Sequence, residues 1–541
     1  MFDKKLKFQN NLKKIINIFS GFKKSYKLKF FIYYLLILLF LAWVLTTNLS
    51  LKTDISQNPL NTNGKEKFSF IDALFTAGSA FSDTGLTVIS IFDQFNLFGQ
   101  IIVLFLIQLG GIGLTVLKYI FIRAIGKKIG FTDSLAFNDE RGYSKLGSSE
   151  SIIITTIILI FGLQFISSIT LMFHFHYYHP DTATNLNVNN STDFKNFNNL
   201  IGQLNNNYFL SFWYGWFHST SAINNAGFDI FGNNSLIYFS TDYFFQFIML
   251  FLLMVGGIGF PVYFEIWQKI KYKFVYKKSY RYSLLFKFSV ISYFFITFFS
   301  ILLVFMFESL SHSPNGVDNI VNNSTYSFQS NNKAPALFSD SNYSWTQKVF
   351  FVIFNTQSTR NAGFATLPMQ QFSSYTKIIF SLLMWVGASP CSTGGGIRGT
   401  TLFIVVLALW KKIKGEKQIN IFKKRISLNL VSSAFIVFFA SCVLLLISTM
   451  ICNTSLYETK YISIKDYGVL DSFFTICSGF GTTGLSTGFT YYLNTASKII
   501  TIIVMFIGQL TISNTLILTT SKKFTERKRK INYAKEDILI G

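Results

Sequence analysis

Eight predominantly apolar runs dominate the chain, near residues 30–47, 97–122, 151–173, 244–267, 288–307, 378–410, 430–451 and 499–518. Each is long enough to cross the hydrocarbon core of a bilayer as a helix, which takes about 18–20 such residues. The runs confine the chain to the all-α polytopic membrane class. Composition agrees: of 541 residues, 50% are hydrophobic, 18% aromatic and only 13% charged, with a mean hydropathy of +0.39. A soluble chain of this length carries more charge. The net charge of +23 sits in clusters between the apolar runs. It therefore reads as membrane-flanking charge rather than a nucleic-acid surface, and the expected partner is the lipid bilayer. The first run follows a basic N-terminus without a small-residue cleavage site and reads as a retained transmembrane helix. Four cysteines, Cys391, Cys442, Cys452 and Cys477, show no C-x-x-C spacing and indicate neither a disulfide framework nor a metal site.

Within each successive pair of runs lies one copy of a repeated segment. DALFTAGSAFSDTGLT, residues 72–87, returns as DSFFTICSGFGTTGLS, residues 471–486. Without gaps, Asp72 aligns with Asp471, Phe75 with Phe474, Thr76 with Thr475, Ser79 with Ser478, and Thr84-Gly85-Leu86 with Thr483-Gly484-Leu485. Two more divergent copies, HSTSAINNAGF at 218–228 and NTQSTRNAGF at 355–364, fall between them. Each is too short to span a membrane and ends at a glycine: Gly85, Gly227, Gly363 or Gly484. The pattern fits one supersecondary unit used four times. The predicted fold is four helix, pore-loop, helix repeats, with eight transmembrane helices and four re-entrant pore helices around a central pore.

The predicted units are 30–122, 151–267, 288–410 and 430–518, between a basic tail at 1–29 and another at 519–541. The tails and the segments joining units are rich in Lys and Arg. The segments within units are poor in both and rich in Asn and Ser. Both termini are thus expected in the cytoplasm of a multi-pass cell-membrane protein, with the repeated segments entering from outside.

Non-helical backbone at membrane depth is tolerated where protein buries it or where it lines a water-filled path. Each copy reads as a short helix entering from outside, capped in the first and last copies by Asp72 and Asp471. The chain then turns back through a glycine whose freedom lets carbonyl oxygens face a common axis. The alternative is a tight turn between helices, which suits a lone glycine better than four equivalent ones. Gly110-Gly111-Ile112-Gly113 and Gly256-Gly257-Ile258-Gly259 in the second helices read as close-packing motifs. In the third unit, the run from Gly387 to Arg398, with Pro390 and three consecutive glycines, cannot readily stay helical and must break in mid-membrane. Without a G-K-[ST] ending or a preceding strand, the glycines do not read as a phosphate loop.

These motifs resemble the Trk/Ktr/HKT superfamily of potassium transporters, and the KtrB-type (TrkH-like) membrane subunit most closely, over nearly the whole chain. The resemblance implies potassium uptake through a selectivity filter made by Asp83, Thr84 and Gly85, by Asn225, Ala226 and Gly227, by Asn361, Ala362 and Gly363, and by Thr482, Thr483 and Gly484, with potassium held at the four glycines. The third copy, QSTRNAGFAT, is an especially close match, Arg360 included. The 387–398 run resembles the family's intramembrane gating loop, represented by Ser392, Thr393, Gly394, Gly395 and Gly396. At the inner pore, Gln509 stands where the family usually has an arginine.

The resemblance further implies a homodimer on a cytoplasmic nucleotide-binding regulatory ring of the KtrA/TrkA type. It implies no covalent cofactor, with potassium as substrate and sodium as an activator. No nucleotide-binding fold reads from the chain itself, so nucleotide sensing would belong to a partner. The alternative is a sodium-conducting or weakly selective relative of the same fold. An enzyme is not expected. Asp83, Asp229, Glu265 and Glu308 are scattered, and His174, His176 and His179 cluster at an outer helix end, where they read as solvated rather than metal-binding.

Overall fold

A computed structural model of the chain describes residues 26–52, 68–113, 149–178, 192–232, 235–310, 337–338, 343–390, 392–416, 418–421, 424–458 and 467–510. The joining segment at 114–148, the histidine His179, the cysteine Cys391 and the basic tails before residue 26 and after residue 510 lie outside these residues.

The chain is helical. The first unit comprises α1 (Tyr26–Leu45), the short α2 (Phe70–Phe81) and α3 (Leu97–Ile112). The second runs through α4 (Ser149–Tyr177), the additional α5 (Thr192–Asn206), the short α6 (Tyr208–Ile223), α7 (Tyr243–Ile258) and α8 (Phe260–Phe274). The third contains α9 (Leu284–Leu310), the short α10 (Trp345–Ser358), α11 (Ser374–Val386) and α12 (Gly399–Ile413). In the fourth, α13 (Leu428–Asn453) leads to the short α14 (Val469–Gly481) and α15 (Thr495–Leu510). Among the described residues the one sheet is a pair of two-residue strands, Asn420–Ile421 with Lys424–Arg425, between the third and fourth units.

Among the described residues, Ile153–Tyr177, Leu285–Leu310 and Leu428–Tyr457 are single helices long and apolar enough to cross a membrane. The second helices of the units are shorter, for a local reason. α3, α7 and α11 each stop at a glycine with positive φ, Gly113 (86°), Gly259 (101°) and Gly387 (67°). At 13–16 residues and 1.5 Å per residue, they reach only about 20–24 Å, less than the roughly 30 Å of hydrocarbon. The continuous span predicted over 244–267 is corrected accordingly, because α7 and α8 meet at 92°. Gly259 supplies the left-handed turn, and Pro261, in the first turn of α8, removes an N–H that a continuous helix would need. The 378–410 run breaks after Gly387, as its three glycines predict, and resumes at Gly399.

Packing is inverted relative to a soluble protein. The outer faces of α4, α9 and α13 leave Ile158, Phe165, Phe295, Phe298, Phe439 and Leu446 exposed. The short helices meanwhile bury Thr76, Ser79, Ser219, Ser221, Asn355, Thr356, Thr475 and Ser478 almost completely. An apolar shell of this extent calls for lipid, and the polar side chains turn to the interior.

Each short helix starts with a side-chain cap. Asp72 and Asp471 are not the capping residues themselves, as the sequence predicts, but stand at the third helical position. From there they reach back to the backbone N–H of Ser69 (3.1 Å) and Gly468 (3.0 Å). Ser344 and Gln347 form the same reciprocal pair at α10, and Asn207 caps α6 through Phe209 N (3.0 Å). The fourth residue of three second helices faces the following unit. Gln100 accepts from Trp213 Nε1 at 3.0 Å, Lys377 interacts electrostatically with Asp471, and Lys498 pairs with Asp72 at 2.6 Å. The last contact joins the fourth unit to the first and closes the assembly.

This closure predicts a measurable coupling. The Lys498 and Asp72 side chains are only 19% and 14% exposed, so Lys498→Met should destabilise the protein by about 1.5–3 kcal/mol. Thermal unfolding in detergent of Lys498→Met, Asp72→Asn and the double variant checks it. Additive single effects would show that the pair does not hold the first and fourth units together.

Candidate functional site

The four short helices end in the same backbone figure. Two residues before each repeat glycine, a non-glycine residue takes a left-handed conformation: Asp83 (φ 50°), Asn225 (56°), Asn361 (87°) and Thr482 (48°). The glycines do the same, with φ of 85° at Gly85, 70° at Gly227, 76° at Gly363 and 95° at Gly484. A left-handed residue after a helix terminates it and turns the chain, and Asn and Asp accept that conformation better than most side chains. The turn is held by backbone bonds of 2.8 Å from Thr84 N to Ser79 O, Ala226 N to Ser221 O, Ala362 N to Ser358 O and Thr483 N to Ser478 O. The third bond spans one residue fewer than the others, yet its product is the same pair of left-handed residues.

The four segments nest into one another. A Cβ at Gly85 would collide with Ala226 O and fall 3.0 Å from Gly227 Cα. At Gly227 it would lie 2.8 Å from both Ala362 O and Gly363 Cα. At Gly363 it would strike Thr483 O and lie 3.2 Å from Gly484 Cα, and at Gly484 it would strike Thr84 O and lie 3.0 Å from Gly85 Cα. The contacts run from the first unit to the second, third and fourth and back to the first. All twelve filter residues predicted from the sequence are thus brought together, and all are at least 98% buried where a side chain is present.

The second helices close against this ring through glycines in equivalent positions. Gly110, Gly256 and Gly508 abut the carbonyls of Phe81, Ile223 and Phe480 at the ends of the short helices, where a Cβ would collide. Close packing is therefore the role of these motifs. Gln108 Oε1 adds a buried polar link, accepting from Gln164 Nε2 at 3.0 Å and Asn224 Nδ2 at 3.2 Å.

In the third unit the equivalent glycine is Gly387, which abuts Gly395 O of the 387–398 loop. Gly396 N donates to Phe480 O at 3.2 Å and Ser389 N to Gly257 O at 3.2 Å, so the loop is seated against the second and fourth units. Arg398, itself left-handed at φ 72°, donates to Gly394 O and to Ser392 Oγ (3.3 Å) and fastens the loop from within. Gln509 follows Gly508, whose carbonyl carbon lies 3.1 Å from a Cβ position at Gly395. The chain at Gln509 therefore adjoins the loop, and its Oε1 is buried without a hydrogen bond among the described residues.

Among the described residues, the other titratable groups form no common centre. Glu265 accepts from Ser283 N (2.8 Å), Glu308 from Ser373 N (3.0 Å) and Asp229 from Phe231 N (3.3 Å), each pinning a different turn. His174 and His176 are packed rather than solvated as expected. His174 Nε2 meets Asp242 Oδ2 at 2.5 Å, and His176 stacks on Tyr208 with 3.6 Å between centroids. No group of three His, Cys, Asp or Glu suited to a metal occurs among the described residues. Cys442, Cys452 and Cys477 are free thiols.

Two arginines carry more weight than their sequence context reveals. Arg398 clamps the loop. Arg360 is fully buried at 1% exposure, with its guanidinium over the Tyr293 ring at 5.5 Å. The left-handed Asn225 and Asn361 were detectable in principle, since Asn directly after a helix is a common turn signal.

Chemically, four buried backbone segments that each directly follow the electronegative end of a short helix suit a cation better than an anion. The chain matches the family described as TrkH, cation transport protein, over residues 44–528. It is 32% identical over 507 residues to an uncharacterized cation transporter of Mycoplasma genitalium, covering 88% of this chain and 89% of the relative. It is 31% identical over 474 residues to the Ktr system potassium uptake protein D of Bacillus subtilis, covering 88% and 90%. Its fold resembles the crystal structure of the potassium transporter TrkH from Vibrio parahaemolyticus, with a TM-score of 0.55, 18% identity, and coverage of 84% of this chain and 79% of that one. The chain belongs to the TrkH family of cation transport proteins, a transporter family of the membrane and not an enzyme family, and within the Trk/Ktr superfamily it is of the KtrB type.

Proposed function

We propose that this chain carries potassium into the cell through a single pore formed by its four units, with the ring of Gly85, Gly227, Gly363 and Gly484 as the selectivity filter. The observation that carries the reading is the closed nesting of four left-handed glycine segments, each against the carbonyl of the next. A cation entering such a ring exchanges water for backbone oxygens. Asp83, Thr84, Asn225, Ala226, Asn361, Ala362, Thr482 and Thr483 supply the neighbouring carbonyls. The membrane potential drives uptake, and sodium acts as a modulator. Ser392, Thr393, Gly394, Gly395 and Gly396 obstruct the path as a gate below the filter, next to Gln509. Both termini are cytoplasmic, and the chain works as a homodimer on a nucleotide-binding regulatory ring. The relative of Bacillus subtilis is named for potassium uptake, which favours potassium as the cargo.

Gly363→Ser tests the filter. A side chain there costs about 1–2 kcal/mol in the left-handed conformation and collides with Thr483 O. Expressed at the ion site, that strain lowers the preference for potassium over sodium by about 5- to 30-fold. Tracer flux in proteoliposomes measures it, and an unchanged preference in a normally inserted variant overturns the filter assignment.

Gln509→Arg tests the inner path. A positive charge about 8 Å from a passing cation, at an effective dielectric near 20, repels it by roughly 2 kcal/mol, about a thirtyfold fall in local occupancy. Potassium flux should fall at low ionic strength and recover in part as salt is raised, whereas Gln509→Ala should change it little. Equal or higher flux in Gln509→Arg would place position 509 away from the ion path.

A further inference from the structure

The 387–398 loop does more than lie beside the ring, because it is bonded to the residues that shape it. Of the four left-handed residues that precede the filter glycines by two positions, three hold the loop with their side chains. Thr482 Oγ1 accepts from Gly395 N at 2.7 Å. Asn361 Nδ2 donates to Gly395 O at 3.3 Å and to Gly481 O at 2.5 Å, bridging the loop to the end of α14. With its amide in the orientation that pairs both ends, Asn225 Oδ1 accepts from Thr393 Oγ1 at 3.2 Å and Gly257 N at 3.1 Å, while Nδ2 donates to Leu253 O and Ala222 O. The same residue, Gly395, is therefore gripped from the third unit through its carbonyl and from the fourth through its N–H. Asn225, Asn361 and Thr482 are all fully buried, so water does not readily replace a lost partner. Asp83, the equivalent residue of the first unit, packs against Gly110 of α3 instead.

The geometry points to Asn225, Asn361 and Thr482 as positioning residues through which the loop sets the ion preference of the filter, so that potassium discrimination depends on the loop being seated. This rests on the filter reading above and adds regulation to it. Left-handed non-glycine residues are strained, and here their side-chain bonds help to hold that backbone in place. When the loop leaves, Thr482 loses the Gly395 N–H, Asn361 loses one of its two acceptors and Asn225 loses Thr393. The carbonyls of Thr483, Ala362 and Ala226, one residue further on, then have less to fix them. The loop-free conformation conducts faster but discriminates less.

Thr482→Val in the full-length protein tests this, since valine keeps the shape and removes the acceptor of Gly395 N. In proteoliposomes, maximal potassium flux per inserted protein should rise and the preference for potassium over sodium should fall by about fivefold, the weight of one net hydrogen bond. Thr482→Ser, which keeps the hydroxyl, should restore both quantities. A merely structural role would lower flux rather than raise it. Should Thr482→Val fail to insert, Thr393→Val removes the bond to Asn225 from the loop side and carries the same paired expectation. Unchanged preference, a fall in preference without a rise in flux, or failure of serine to restore them overturns the proposal. Gly363→Ser in the same vesicles separates the two levels. If it lowers the preference while Thr482→Val and Thr393→Val do not, only the coupling fails. If it too leaves the preference unaltered, the filter reading itself fails.

Discussion

The constraint on which the molecule depends is the mutual fit of four glycine backbones. Each left-handed glycine leaves room where the next segment's carbonyl approaches, and the chain of contacts returns to its start. Side chains cannot substitute at these positions, both because of the conformation and because the neighbouring backbone occupies the space. The ring in turn dictates its surroundings. Backbone this irregular and this deeply buried survives only with its polar groups satisfied by protein. The helix-end bonds to Ser79, Ser221, Ser358 and Ser478 and the glycine contacts at Gly110, Gly256 and Gly508 bring protein that close.

Around the ring, the same inward pull explains why the second helices are interrupted. Each of α3, α7 and α11 ends at its own glycine of positive φ, Gly113, Gly259 or Gly387. In the third unit the turning chain stays against the ring as the loop, held by Arg398 within and by the side chains of Asn361 and Thr482. At the opposite ends of the second helices, Gln100 and Lys498 fasten one unit to the next. Lipid-facing Phe, Ile and Leu on α4, α9 and α13 complete the arrangement from outside.

Much of this was legible in the sequence because it repeats locally. The glycines align without gaps between the first and last copies, and the triple glycine announces a break. The bend at Gly259 was missed although Gly259 and Pro261 were in view, because apolar residues continue on both sides and hydropathy averages over the break. Asp72 and Asp471 were placed at the helix starts correctly in kind but not in position, since a carboxylate at the third residue serves the same orphan N–H groups by reaching back. The bonds between the loop and the ring had no sequence signal. Asn361 and Gly395 are 34 residues apart, Gly395 and Thr482 87. Such pairings follow from the nesting of the units and not from any local pattern. Arg360 was visible as a motif match, but nothing in its neighbours announced that a guanidinium would be buried on a tyrosine ring.

A ring of this kind should hold one cation among carbonyls contributed by all four units. Anomalous diffraction from crystals grown in rubidium or thallium salts tests it directly. A single strong peak is expected on the axis, within coordination distance of the carbonyl oxygens of Thr84, Ala226, Ala362 and Thr483, and it should weaken when sodium replaces the heavier ion. An axis without a peak, or a peak bound to side chains elsewhere while the ring stays empty, would contradict it.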